Sequence, residues 1–237
     1  MIRISKRIAL IIFTSTFSCI AAGQSPLKNF TIKVQVIDSC NLTTDTSSRC
    51  FGLNATGFFF RFNDADLPIV IVVNKSILEH AQLLNFTFSN IGDENLKPIK
   101  NFSFAIGQLT IYRHPTTDLA AIELRPILQV LQKRRINIDY SMITENNIYA
   151  DSIKNFYSFY EELFVMGYPV IKDERNYVYA LCRRGIAATP YYDHFNDNPT
   201  FLADVQLSEG FRGSPALVNT IFLKRSSDLT SICIWSE

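Results

Sequence analysis

Several features that would each have pointed to a function are missing from this sequence. No charge of one sign dominates: the 237 residues carry a formal net charge of +1, and the one compact basic run, Lys133-Arg134-Arg135, has the length of a solvated helix end rather than of a footprint for a phosphate backbone. Nucleic acid is therefore not an expected partner. No cluster of His, Cys, Asp and Glu has metal-ligand spacing, and no glycine-rich loop is shaped to cradle phosphates. Neither a metal nor another cofactor is implied. Beyond the N-terminal leader no apolar run is long enough to span a bilayer, and there is neither a repeat of fixed period nor a low-complexity segment. Glycine also runs out early, since Gly213 is the last one in the chain.

What is present is material for a sizeable core. Hydrophobic residues make up 47% of the chain and charged residues 19%, the profile of a globular protein rather than of a disordered one. The opening stretch places Arg3, Lys6 and Arg7 ahead of a short apolar run and then Ala21, Ala22 and Gly23. It reads as a secretory signal peptide over residues 1–23, cut near Gly23, and makes the protein secreted or periplasmic. A lipoprotein anchor at Cys19 lacks the leucine expected three positions earlier. Without the leader four cysteines remain, Cys40, Cys50, Cys182 and Cys233, an even number suited to an oxidising compartment. Three pairings are open to them, with Cys40–Cys50 the local choice and buried free thiols the alternative. Glycosylation sequons begin at Asn29, Asn41, Asn54, Asn74, Asn85 and Asn101. In a chain this rich in Asn they are read as chance.

After the leader come short apolar runs divided by polar turns: FTIKVQVI, TGFFFRF, PIVIVV, NFTFSN, FSFAIGQLTIYR and LAAIEL. Alternation and the abundance of Val, Ile, Phe and Tyr mark them as strands. LRPILQVLQKRR, from Leu124 to Arg135, has helical spacing, and ENNIYADSIKNFYSFYEE is a weaker helical candidate. Strands resume with LFVMGYPV, NYVYALCRRGIAAT and TFLADVQL and close with IFLKR and TSICIWSE. The long middle connection divides the strands into two groups, about 28–124 and 160–237. Two packed barrels fit that division, and by pattern alone a single β-sandwich fits nearly as well.

Three turns at strand ends stand in an informative order. VVNKSILEHA runs from a strand into a helical turn, DLAAIEL is a strand entered through Asp118, and GFRGSPA is a tight Gly/Pro turn that presents Arg212. Each is weak alone. Ser76, Asp118 and Arg212 are 42 and then 94 residues apart, intervals that let one site assemble between two barrels.

In these segments the sequence resembles the trypsin-like serine peptidases, particularly their bacterial branch. Val73-Asn74-Lys75-Ser76-Ile77, preceded by Thr56-Gly57-Phe58, is similar to the strand end that carries the family's catalytic histidine. Asp118-Leu119-Ala120, with His114-Pro115 ahead of it, matches the strand of the orienting aspartate. Gly210 to Pro215 matches the nucleophile turn, with Asp204 eight residues before the nucleophile position. Gly167-Tyr168-Pro169 and Arg183-Arg184-Gly185 are also similar to bacterial members, so the resemblance covers about residues 50–218. It implies an all-β fold of two packed antiparallel six-stranded β-barrels with short connecting helices, forming one domain over residues 24–237. It also implies a histidine that deprotonates a serine, an aspartate that orients the histidine, and an oxyanion hole built from the backbone N–H groups of Gly210 and Arg212.

Two of the three side chains depart from that pattern. Ser76 stands at the histidine's position and cannot act as a base near neutral pH. Arg212 stands at the nucleophile's position, stays protonated and has no lone pair to offer. Loss of nucleophile or base in such a triad costs on the order of 10⁶ in turnover in the family's worked example. His80 falls four residues after Ser76 and would share its face on a helical turn, although a packing or surface histidine is the plainer reading. His114 fills a loop position, His194 has no suggestive partner, and Ser214 faces another way. Arg212 is expected either to bridge to Asp118 through paired hydrogen bonds or to point outward and obstruct the cleft. The reading that results is an exported, proteolytically inactive peptidase homologue that binds a peptide or protein. Its alternatives are a working endopeptidase with a non-standard site and a decayed duplicate without function. No feature fixes an oligomeric state.

Overall fold

A computed structural model of the chain describes residues 29–38, 52–90, 101–148, 162–170, 180–190, 195–196, 200–218 and 232–234. Among these residues the chain is all-β, with one α-helix. The first group of strands is β1 (Thr31–Asp38), β2 (Gly52–Arg61), β3 (Val70–Val73), β4 (Ala81–Thr87), β6 (Phe102–Ala105), β7 (Ile111–Arg113) and β8 (Ala120–Glu123). They pair in the order β6-β4-β1-β2-β3-β8-β7, every contact antiparallel. An eighth strand, β10 (Ile143–Thr144), pairs with β2 in parallel, and a separate two-stranded ribbon joins β5 (Ser89–Asn90) to β9 (Ile138–Asp139).

The order of strands forces the sheet to curl. Its two edges, β6 and β7, are consecutive in the chain and joined only through the 3-10 turn Ile106–Gln108. Six inter-strand steps of about 4.8 Å would hold the edges of a flat sheet about 29 Å apart, whereas the link from Ala105 to Ile111 reaches at most about 21 Å. The run FSFAIGQLTIYR therefore serves as both edges of one half-barrel, bent at its middle, and six chain segments build it.

The second sheet contains β11 (Glu162–Gly167), β12 (Leu181–Ala187), β13 (Ala203–Asp204), β14 (Pro215–Val218) and β15 (Ile232–Ile234), in the order β13-β12-β11-β14-β15. β2 lies between the two sheets' apolar layers because both of its faces are buried. Phe59 and Ala55 join the interior of the half-barrel with Ile71, Leu84, Phe86 and Ile122. Phe58 and Phe60 pack with Val70, Ile143 and Leu217, the last contributed by β14 of the second sheet. A strand buried on both faces reads as a continuous apolar run, as GFFF does.

The helix α1 (Arg125–Lys133) starts with Pro126 in its first turn, where a missing N–H costs nothing, and buries Ile127 and Leu131 against the half-barrel. It ends where Arg135 takes a positive φ of 57°. Lys133, Arg134 and Arg135 are exposed there, the Arg134 guanidinium lying 5.5 Å from the Phe102 ring centroid.

Some expectations meet a different structure. The second helical candidate is a 3-10 turn over Glu145–Asn147 at its start and part of β11 at its end, the residues between lying outside those described. Cys182 is a free, exposed thiol, so no pairing that includes it forms; Cys40, Cys50, the IFLKR segment and the leader lie outside the described residues. Asn74 and Asn85 are buried, a placement that a glycan would not tolerate in the folded chain.

Candidate functional site

The site begins at the end of β3. Val73 pairs with Ala120 of β8, so the residues just after Val73 meet those just before Ala120. The chain then turns through a 3-10 segment, Lys75–Leu78, which buries Ile77 and Leu78 beneath it and leaves Ser76 on the outer side. The Lys75 N–H donates to the Asp118 carbonyl at 3.3 Å, and His114 N–H closes the approaching loop on the Leu119 carbonyl at 2.9 Å. These main-chain bonds fix Asp118 opposite Ser76.

The Asp118 carboxylate accepts three hydrogen bonds at this corner. Its Oδ1 accepts from the Ser76 N–H at 2.6 Å, and its Oδ2 accepts from the Ser76 hydroxyl at 2.7 Å and from the Asn74 side-chain amide at 2.9 Å. Partial burial by itself would raise its pKa. The bonds from the Asn74 side chain, the Ser76 side chain and the Ser76 N–H, with a contribution from the positive charge of Arg212, outweigh that and hold the carboxyl below its ordinary value.

The second corner is the turn from Ser208 to Ser214. The Phe211 N–H donates to the Ser208 carbonyl at 3.2 Å and the Ser214 N–H to the Phe211 carbonyl at 2.8 Å, two successive tight turns. They require Gly210 and Gly213 at φ of 97° and 83°, conformations that side chains rarely adopt. A Cβ on Gly210 would lie 2.1 Å from the Tyr168 carbonyl oxygen, and one on Gly213 would lie 2.2 Å from that of Thr56. Both glycines are thus demanded twice, by dihedral and by space.

Thr56, in the middle of β2, holds this turn against the first sheet. Its N–H donates to the Arg212 carbonyl at 2.8 Å, its hydroxyl donates to the Gly210 carbonyl at 2.7 Å, and the same hydroxyl oxygen accepts from the Tyr168 N–H at 2.9 Å. The residue is fully buried. Within an apolar strand a buried threonine must find partners for its hydroxyl, and here both come from the second sheet's loops.

Positions 76 and 118 are in direct contact, and Arg212 is near enough for its charge to act on Asp118. The expected paired hydrogen bonds between Arg212 and Asp118 do not form. The physical reason is local supply: Ser76 is shorter than a histidine and brings its own N–H and O–H to the carboxylate, and Asn74 adds a third donor. Arg212 is partly buried, and its Nε is a buried donor without a partner. The N–H groups of Gly210 and Arg212, the expected oxyanion donors, are not taken up by another described residue.

The remaining candidates sit elsewhere. His80 is exposed beyond the 3-10 turn, which ends at Leu78, so the helical face it was expected to share with Ser76 does not exist. His114 is exposed, and its Nδ1 accepts from the Thr117 N–H at 3.0 Å, stabilising the loop before Asp118. His194 lies outside the described residues. Ser214 is fully buried with its hydroxyl against Gly167, away from any solvent-borne substrate. Asp204 is an exposed residue of β13 opposite Ile186. Sequence reasoning missed the roles of Thr56 and Asn74, although both stand inside the quoted motifs; a polar residue interrupting an apolar strand was the available signal.

No protein-family model matches the chain, and no curated protein matches it. Among solved structures 32 chains match. One is an HtrA-type protease, AlgW, with decapeptide, which is 12% identical at a TM-score of 0.45, the alignment covering 89% of this chain and 60% of that one. The chain spans about 60% of the length of the protease it matches there.

Proposed function

We propose that this chain is an exported relative of the trypsin-like serine peptidases that has no peptidase activity and binds a peptide or protein where its two sheets meet. In this reading residues 1–23 are a cleaved leader, and the two sheets are the two halves of one domain. Ser76, Asp118 and Arg212 occupy the positions of base, orienting acid and nucleophile.

The observation that carries the proposal is the hydrogen-bond set around Asp118. An orienting carboxylate in a working triad accepts a hydrogen bond from an imidazole. Here its three donors come from Ser76 and Asn74, and no described histidine bonds to Asp118 or Ser76. The side chain at position 212 carries a permanent positive charge where a hydroxyl would have to attack. A retained peptide-binding role is supported by the turn itself, whose glycines at positive φ and two bonds to Thr56 maintain a shaped surface without the reactive groups.

The test is purified protein incubated with casein and with a broad peptide library. No turnover above buffer is expected, and the double replacement Ser76→His with Arg212→Ser is expected to restore weak activity at most. Turnover by the unaltered protein that a serine-directed covalent inhibitor abolishes would overturn the reading in favour of a working endopeptidase.

A further inference from the structure

We propose that Arg212, together with the main-chain N–H groups of Gly210 and Arg212, forms a binding site for a peptide carboxylate. This rests on the peptide-binding reading above and names the chemistry of the ligand. The argument begins from a disagreement between charge and bonding. A guanidinium close to a carboxylate ordinarily forms a paired, charge-assisted contact, but Asp118 already accepts three hydrogen bonds, two of them on Oδ2. Arg212 therefore retains its charge without an ion-pair partner among the described residues. Its Nε is buried and without an acceptor. That atom is closed to an incoming ligand, so an arriving anion would meet the terminal N–H groups of the guanidinium, which are not among the buried atoms without a partner, and would supply the counter-charge the group lacks.

The surrounding main chain favours an anion over a neutral group. Gly210 and Gly213, at positive φ, bend the turn on either side of Arg212. The Gly210 and Arg212 carbonyls are both turned to Thr56, at 2.7 and 2.8 Å. With the acceptors on either side of Phe211 engaged by β2 and the Phe211 N–H bonded to the Ser208 carbonyl, the N–H groups at 210 and 212 remain as donors for an anion at this turn. A carboxylate has two oxygens, enough to meet a guanidinium on one and an N–H on the other. Asp118 does not compete for the site, and its own negative charge is moderated by its three donors.

The experiment uses the full mature chain and two pools of random octapeptides, identical except that one has free C-terminal carboxylates and the other C-terminal amides. Binding is read by the shift of the Arg212 side-chain N–Hε resonance and by titration calorimetry. The free-acid pool is expected to bind about ten-fold more tightly than the amide pool, as fits one charge-assisted hydrogen bond, and Arg212→Met is expected to erase that difference. Binding to the amide pool that disappears when Asp and Glu are left out of it assigns the site to acidic side chains, still as a carboxylate. Equal binding of acid-free amide peptides and free acids, without movement of the Arg212 resonance, overturns this inference and leaves peptide binding intact. Absence of binding to either pool overturns both. The comparison of pools on the unaltered protein stands even if the Arg212→Met variant fails to fold.

Discussion

The two sides of the junction between the sheets treat charge in opposite ways. Around Asp118, a carboxylate on the first sheet's side receives three donors from residues 74 and 76, all within one turn of chain. Around Arg212, a guanidinium on the second sheet's side has a buried Nε with no acceptor at all. The serine at position 76 supplies the aspartate with donors locally. The arginine at position 212 carries a charge that the surrounding described residues do not neutralise by contact.

That asymmetry is open to direct attack through stability. The largest effect is expected for Asp118→Ala, which strands the buried Asn74 amide and the Ser76 N–H together and is expected to cost about 3 kcal/mol. Arg212→Met removes an unpaired donor while keeping much of the apolar stem and is expected to be neutral or slightly stabilising. Paired urea titrations measure both. Equal destabilisation by the two would erase the contrast and show that Arg212 is as well bonded as Asp118.

A middle-sized effect is expected at the seam itself. Thr56→Val keeps the shape of the side chain but removes the hydroxyl that serves Gly210 and Tyr168, for an expected loss of about 2 kcal/mol, whereas Thr56→Ser is expected to retain most of the stability. Chemical denaturation of both variants decides it; a serine variant as weak as the valine variant would assign the loss to the methyl group's packing instead.

The smallest effect is in the acid limb. The folded pKa of Asp118 lies below its unfolded value of about 3.9, so its contribution is present in full above that pH and is lost as pH falls through the folded value. Melting temperature measured downward from pH 5 is expected to fall less steeply in Asp118→Asn than in the unaltered protein. Parallel profiles would detach Asp118 from the acid sensitivity.

Much of the fold was legible because its strands alternate or run apolar for four residues or more. The helix was legible from its spacing, and Asp118 and the Gly210–Gly213 turn from their order along the chain. What pattern did not carry was reciprocity between distant polar groups. The spacing of Ser76 and Asp118 brings them near one another but does not say that Ser76 supplies two donors, which depends on the 3-10 form of the turn after β3. A full α-helical turn would have carried His80 round to the same face, and the 3-10 geometry is what ended that possibility. Thr56 illustrates the same limit. Its type and position were visible, whereas its three bonds involve Tyr168, Gly210 and Arg212, more than a hundred residues downstream.

The bonding of Thr56 also ties the shape of one loop to a remote part of the chain. The loop that carries Arg212 rests on a strand more than a hundred residues earlier, so β2 serves it as a mould. A C-terminal fragment produced alone would have strands to pair but no surface on which to set that loop.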